Sequence, residues 1–204
     1  MTFSVWLSLF VVCLLGAMSP GPSLAMVLKH SLTGGKLNGL ATAWAHAFGI
    51  GVYACLTLLG LSIILHKAHW LFLTISYAGA AYLAYLGWKA IRSHGGVATK
   101  LEAQEPVPLH VSARQGLLIS LLNPKIALFF TALFSQFVAI GSEIVSQSII
   151  VATPMLVDGL WYTLITLLVS NPVVFNKMKQ KAKLIDQLSG VVLIGLAFRV
   201  MITA

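Results

Sequence analysis

The stretch Met18-Ser19-Pro20-Gly21-Pro22-Ser23 interrupts an apolar run that opens at Phe3 and closes near Leu28. Two prolines with a glycine between them cannot continue a regular helix, because each proline removes a backbone donor and crowds the preceding turn. In lipid, the backbone groups that such a break frees have no water to bond, so they must be buried in protein or line a polar cavity. The stretch therefore predicts a transmembrane helix that is broken at a site.

A second interruption, Leu122-Asn123-Pro124-Lys125, lies inside the fourth apolar run. Ser19 and Asn123 are good N-cap residues, and proline suits the first turn of a helix. Each helix after a break would then direct free N–H groups and a positive dipole end toward the membrane interior, where they suit a carboxylate. A simple kink is the alternative interpretation. On the first interpretation the substrate-binding residues are Ser19, Pro20, Gly21, Pro22, Ser23, Asn123, Pro124 and Lys125.

The composition indicates a polytopic membrane protein. Of the 204 residues 58% are hydrophobic and 9% are charged, with a mean hydropathy of +0.92, whereas soluble domains carry about 25% charged residues. The net charge of +8 would suit a nucleic-acid partner. The charges lie between the apolar runs, however, as orientation signals do, so no nucleic-acid partner is predicted. The sequence predicts a lipid bilayer as the surroundings of the chain and no cofactor.

Six apolar runs approach or exceed the length of about 20 residues that a transmembrane helix needs. They cover residues 4–28, 39–65, 70–91, 115–140, 147–170 and 186–203. With the N-terminus outside, the inner links hold Lys29, Lys36, Lys89, Arg92, Lys100, Arg114, Lys177, Lys179, Lys181 and Lys183, and the outer side holds Lys67 and Arg199. Basic residues concentrate on the cytoplasmic side of membrane proteins. Both termini are therefore predicted to lie outside.

The apolar runs also form an internal repeat. Shifted by 104 positions, Ser19-Pro20 falls on Asn123-Pro124, and shifted by 110, Leu86–Lys89 falls on Leu196–Arg199. Each unit has three helices, and an odd number of helices inverts the second unit relative to the first, as in many transporters. The predicted fold is an all-α membrane protein of six transmembrane helices, arranged as two inverted three-helix repeats in which helices 1 and 4 are broken. The chain is then one transporter domain, 1–204, with repeats at about 1–92 and 115–204 and an inner linker at 93–114.

Ionisable residues at membrane depth are costly and usually functional, and three of them lie within predicted helices. Lys125 suits a substrate carboxylate, and the alternative is that its side chain snorkels to the inner face. Asp158 suits a substrate ammonium group or a coupling proton, and the structural alternative is an ion pair with Lys125. His46 is ordinarily a packing residue, and a proton or substrate role is its alternative. The other histidines, which lie in or beside links and form no recognisable metal-ligand cluster, are His30, His66, His69, His94 and His110.

Two other function classes are compatible with part of the sequence. Cys13 and Cys55 lie in two different helices, as in some membrane thiol–disulfide enzymes, but there is no Cys-x-x-Cys and no basic residue near either thiol in the sequence. A metal-ion exporter would need buried ligands, of which the chain offers at most His46, Asp158 and the two cysteines. Both remain alternatives, and the predicted protein is not an enzyme.

The two breaks, together with Ala78–Leu83, Leu86–Lys89 and Ala132–Phe137, resemble the lysine exporter superfamily, and more narrowly its homoserine/threonine-resistance branch of amino-acid exporters. The resemblance spans nearly the whole chain, although many members carry proline where Ser135 stands. It implies export of threonine-like, homoserine-like or other neutral amino acids from the bacterial cytoplasm across the inner membrane, with proton antiport. The expected partners are this substrate and protons, and a homo-oligomer is left open.

Overall fold

The computed structural model describes residues 1–19, 21–92, 105–135, 137 and 143–169, with part of 180–202. Pro20, residues 93–104 of the predicted linker, and Lys177, Lys179 and Lys181 of the last basic link lie outside the described residues. In the described part, every regular element is an α-helix. The helices are α1 (Phe3–Met18), α2 (Pro22–Thr33), α3 (Gly35–Lys67), α4 (His69–Ile91), α5 (Leu109–Leu121), α6 (Pro124–Ser135) and α7 (Ile144–Val169).

Three of these helices, α3, α4 and α7, are long and apolar enough to cross a membrane. The number rises to five if α1 with α2, bent by 62°, and α5 with α6, bent by 52°, each form one broken span. The first bent pair ends at Thr33, beyond the predicted 28, and the second begins at Leu109, within the predicted linker. In the region of the sixth predicted span, the described residues form a shorter apolar helix, Leu193–Ile202.

The break between α1 and α2 lies where the prolines predict it, but its capping differs from the prediction. The backbone N–H of Ser19 donates to the carbonyl oxygens of Leu15 and Gly16, so Ser19 ends α1. Pro22 occupies the first turn of α2, which moves the N-cap to Gly21. The prediction that Ser19 caps the following helix is therefore wrong. Its side chain is left to contact another helix.

The break between α5 and α6 is capped as predicted. Asn123 precedes Pro124, and its Oδ1 accepts a hydrogen bond of 3.0 Å from the backbone N–H of Lys125. Its carbonyl oxygen accepts from the N–H groups of Ile126 and Ala127. Asparagine thus satisfies one of the first N–H groups of α6, which no preceding turn can reach.

Helix α3, 33 residues long, is the hub of the bundle and contacts α2, α4, α5, α6 and α7. It follows α2 directly through Gly35, whose φ of +75° lies in the left-handed region that favours glycine. Its crossing with α5 is close, because a Cβ at Gly116 would meet the backbone carbonyl of Thr42, and one at Gly49 would meet the hydroxyl of Ser120. Small residues at a crossing let two helices approach this closely.

The apolar core consists of two clusters with polar residues between them. On α3, Ala43 belongs to the smaller cluster and Ile50 to the larger one. On α7, Tyr162 belongs to the smaller cluster and Val157 to the larger one. His46 and Asp158 are buried between these positions, and Ser19, Ser23 and Asn123 are buried at the two helix breaks. The interior of the bundle is therefore crossed by a polar belt.

His30 lies inside α2 and is fully buried, so the prediction that it lies in a link is wrong. The reason is that α2 ends only before Gly34, one turn beyond the predicted boundary. The Nε2 atom of His30 lies 2.9 Å from Oε1 of Gln115, and its Nδ1 lies 3.2 Å from the hydroxyl of Ser112. The Nδ2 atom of Asn38 donates to the same hydroxyl over 2.9 Å. These contacts join α2, α3 and α5.

Candidate functional site

A small cavity of about 50 Å³ lies where the two helix breaks meet. Its polar lining residues come from α2, α3, α6, α7 and the breaks, and they are Ser19, Gly21, Ser23, His46, Asn123, Lys125, Asp158 and Tyr162. Its remaining lining residues are Cys13, Gly16, Ala17, Ile50, Ile126, Phe129, Phe130 and Pro154. A space of this size holds a few water molecules. The cavity therefore has one polar and one apolar portion.

Lys125 connects the second break to the first. Its Nζ donates to the hydroxyl of Ser19 over 2.7 Å and to the carbonyl oxygen of the same residue over 3.0 Å. That carbonyl is one of those that α1 leaves without an intrahelical donor where it ends, and in lipid no water would serve it. The cation also lies at the negative end of the α1 dipole. Nζ is so close to the first break that a Cβ at Gly21 would lie 3.3 Å from it.

His46 and Asp158 form a buried pair beside the breaks. Nδ1 of His46 lies 2.7 Å from Oδ2 of Asp158, and the imidazole is 1% exposed. Asp158 thus contacts His46 directly, and Lys125 contacts Ser19. The ring of Tyr162 packs edge-on against the imidazole, with ring centroids 5.3 Å apart.

Ser23 links this pair to the second break. Its hydroxyl lies 2.8 Å from Nε2 of His46 and accepts a hydrogen bond of 3.3 Å from Nδ2 of Asn123. When His46 is neutral and its Nδ1–H faces the carboxylate, the Ser23 hydroxyl donates to Nε2. When His46 is protonated, Nε2–H donates to Ser23, whose hydrogen then becomes available to another acceptor. The charge on the pair thus changes which groups Ser23 can bind.

The structure brings most of the predicted site residues to one cavity. Seven of them line it: Ser19, Gly21, Ser23, Asn123, Lys125, Asp158 and His46. Pro22 is exposed and starts α2, and Pro124 starts α6. Pro20 lies outside the described residues.

The sequence predictions missed the apolar portion of the cavity and Tyr162. Tyr162 stands four positions after Asp158 on α7, so helical periodicity would have placed it on the same face. Phe129 follows Lys125 at the same spacing on α6. Pro154 stands four positions before Asp158, so the same periodicity would have placed it there too. Gly16 carried no comparable signal, since nothing in the sequence relates α1 to α6.

The model of the LysE type translocator family matches residues 14–204. The chain is 28% identical to the threonine efflux protein of Escherichia coli (strain K12), with 98% of each chain covered. It is 31% identical to the leucine efflux protein of Salmonella choleraesuis (strain SC-B67), over 88% of this chain and 86% of that protein. It is 29% identical to the uncharacterized membrane protein YrhP of Bacillus subtilis (strain 168), over 88% of this chain and 90% of that protein. No solved structure gives a significant match.

Proposed function

Because the chain belongs to the LysE type translocator family, whose members are transporters and not enzymes, we propose that it exports small neutral amino acids from the bacterial cytoplasm in exchange for protons. The observation that carries the proposal is the cavity at the two helix breaks, which one cation and one acid line together. Similarity to threonine and leucine efflux proteins over most of the chain supports the substrate class.

In this proposal the substrate carboxylate binds between the breaks. Lys125 supplies the positive charge, and Ser19, Ser23 and Asn123 supply hydrogen-bonding side chains within reach of it. Helices α2 and α6 both begin at this cavity, and the N-terminal ends of helices favour anions. Gly21 leaves the backbone accessible there, since its missing side chain would lie against Lys125.

Asp158, with His46, then binds the substrate ammonium group or the coupling proton. The two side chains form a pair whose net charge changes when one proton binds, because histidine is charged only when protonated. The change reaches Ser23, whose hydroxyl donates to neutral His46 and accepts from protonated His46, while it accepts from Asn123 in both states. Proton binding and substrate binding would thereby be coupled at Ser23, whose hydrogen becomes available to the substrate carboxylate when His46 is protonated.

We also propose that the chain forms two inverted repeats of three spans in the inner membrane, with both termini outside. A reciprocal contact supports the repeat: a Cβ at Gly87 would lie 2.6 Å from the carbonyl oxygen of Gly190, and a Cβ at Gly190 would lie 2.5 Å from that of Gly87. The same crossing brings Gly87 to Ile194 and Gly190 to Ile91. Gly87 then corresponds to Gly190 and Ile91 to Ile194, at an offset of 103 residues in each case (190 − 87 and 194 − 91), which agrees better with the offset of 104 than with 110. Reciprocal contacts are typical of a two-fold relationship.

The alternative functions receive less support. Among the described residues, no group of three or more His, Cys, Asp or Glu side chains is placed to hold a metal ion. Cys13 is buried at the cavity, whereas Cys55 is exposed on α3, and both are free thiols. Neither observation favours a metal exporter or a thiol–disulfide enzyme.

The test is efflux from cells that are preloaded with a panel of labelled amino acids. Wild type, Asp158→Asn and a control, Glu143→Gln, which changes an exposed acid before α7, are compared at equal protein level. We expect faster loss of one or a few neutral amino acids from wild-type and control cells, and loss of this gain in Asp158→Asn. No gain for any amino acid would overturn the proposed substrate class, and full activity of Asp158→Asn would overturn its role.

A further inference from the structure

Most of the apolar lining of the cavity belongs to the larger core cluster, on one side of the polar belt. On α3, Ile50 stands one turn from His46, in the direction of the larger core cluster. On α6, Phe129 stands one turn from Lys125 and belongs to the same cluster. One turn corresponds to about 5.4 Å along each helix. A ligand held by the polar residues would therefore face these apolar side chains with its other end.

The α1 and α7 helices also place an apolar lining residue about one turn from a polar one. In these two helices the apolar residue comes before the polar one in the chain. Gly16 precedes Ser19 and packs against Phe129, while Ser19 contacts Lys125, so α1 and α6 run antiparallel. On α7, Pro154 precedes Asp158 by one turn and lines the same cavity. Each of α1, α3, α6 and α7 thus contributes to the cavity one polar residue, within the helix or at its end, and one apolar residue about one turn away.

Phe129 is held in place at the boundary of this apolar portion. A Cβ at Gly16 would lie 2.6 Å from Cζ of the Phe129 ring, so the ring occupies the space that only glycine leaves free. Phe130 packs edge-on against Phe129 with centroids 5.5 Å apart, and Phe134 packs edge-on against Phe130 with centroids 5.2 Å apart. The ring therefore has fixed neighbours on two sides, and its position defines the space beside it.

We propose that this apolar portion is the subsite for the substrate side chain, and that Phe129, seated on Gly16, sets the length of side chain that fits. The inference rests on the proposed function, since it takes the polar portion as the site of the substrate's ammonium and carboxylate groups. The described lining residues of this portion include no charged side chain, so a second ammonium group would be buried there without a partner. The subsite thus selects uncharged, aliphatic side chains.

The test is counterflow in proteoliposomes of the purified protein, with competition by alanine, 2-aminobutyrate, norvaline, norleucine and lysine. Phe129→Ala is expected to shift the preferred chain length upward by one or more methylenes, changing the norleucine-to-alanine ratio about tenfold or more, because one methylene in an apolar pocket is worth that much. Gly16→Ala is expected to shift preference toward shorter side chains. Phe48→Ala, which changes an exposed ring on α3, is the matched control.

If Phe129→Ala does not transport, the chain-length profile is measured on Phe129→Leu. Thermal stabilisation by each amino acid also reports binding to a variant that does not transport. An unchanged chain-length profile in folded Phe129 variants would overturn the subsite while leaving the proposed function intact. Competition by lysine equal to that by norleucine in wild type would overturn the selection against charge. Counterflow of no amino acid by wild type would overturn the proposed function itself, and the subsite with it.

Discussion

The ammonium group of Lys125 lies 2.7 Å from the hydroxyl and 3.0 Å from the carbonyl oxygen of Ser19, so a single side chain joins the two helix breaks. The two residues are far apart in sequence and belong to the two halves of the chain. The contact supplies a donor to the end of α1 and places a positive charge at the cavity. One residue therefore serves both the structure of the breaks and the proposed carboxylate site.

Two replacements of Lys125 distinguish its role in the structure of the breaks from its role in the proposed carboxylate site. Lys125→Met is expected to reduce transport at least tenfold and to lower the Tm, because the Ser19 carbonyl loses its donor at a cost of about 1–3 kcal/mol. Lys125→Arg keeps a donor and a charge, so we expect it to retain the Tm but to raise the substrate KM through its different geometry. Lys36→Met, an exposed change at the start of α3, is the control. Wild-type transport by folded Lys125→Met would exclude the lysine from the substrate site.

The Asp158–His46 pair predicts a difference between two transport assays. If Asp158 carries the coupling proton, Asp158→Asn loses uphill transport driven by a pH gradient but keeps exchange of labelled for unlabelled substrate. If it binds the ammonium group, both activities are lost. Proteoliposomes with and without an imposed pH gradient distinguish the two outcomes. Unaltered gradient-driven transport would remove Asp158 from both roles.

His46 is expected to influence the pH dependence of transport. His46→Gln leaves Asp158 and Ser23 without the imidazole that joins them, so the proton would no longer alter the hydrogen bonds of Ser23. We expect a rate that is about tenfold lower or more, and a weaker dependence of the rate on pH than in wild type. His110→Gln changes an exposed histidine on α5 and should retain both rate and profile. A His46→Gln profile that matches wild type would show that the histidine only packs.

The buried contacts of His30 predict a stability effect outside the cavity. His30→Ala leaves Gln115 and Ser112 without their imidazole partner, which is expected to destabilise the fold by about 1–3 kcal/mol. His110→Ala serves as the control because His110 is exposed. Thermal unfolding in detergent, followed by fluorescence, gives the measurement. Equal Tm values for the two variants would contradict the contribution of this network.

The close crossing of α3 with α5 predicts that Gly116 tolerates no side chain. A Cβ there would meet the backbone carbonyl of Thr42, which cannot move aside as a flexible side chain can. Gly116→Ala is therefore expected to cost about 1–3 kcal/mol, the usual range for overpacking. At Gly60 a Cβ would meet nothing within 4 Å, so Gly60→Ala is the matched control without a cost. The Tm of both variants and their yield in the membrane would decide the matter.

Much of the local structure was predictable from the sequence because it depends on neighbours in the chain. The apolar runs at 39–65, 70–91 and 147–170 correspond to α3, α4 and α7, and the two prolines of the first break end α1 and start α2. Boundaries were less accurate where capping chooses among several residues. Ser19 ends one helix rather than starting the next, and α2 continues past Lys29 to Thr33.

Partners across the bundle could not be predicted. Asp158 was paired with Lys125 as one alternative because these were the acid and the base at membrane depth, but its observed partner is His46. His30 was assigned to a link, although it is buried against Gln115 and Ser112. Helical spacing relates residues of one helix only, and it contains no information about the rotation of one helix against another.

The sequence by itself determined that the chain is a helical membrane protein with two breaks, since hydropathy and proline act through the adjacent backbone. It also predicted that Lys125, Asp158 and His46 lie within helices, which the structure confirms. Only the tertiary structure decided that Lys125 reaches Ser19, that His46 reaches Asp158 and that Gly16 admits Phe129. These contacts depend on how close-packed helices are rotated and spaced. That arrangement is set by the packing of the whole bundle and not by any one segment.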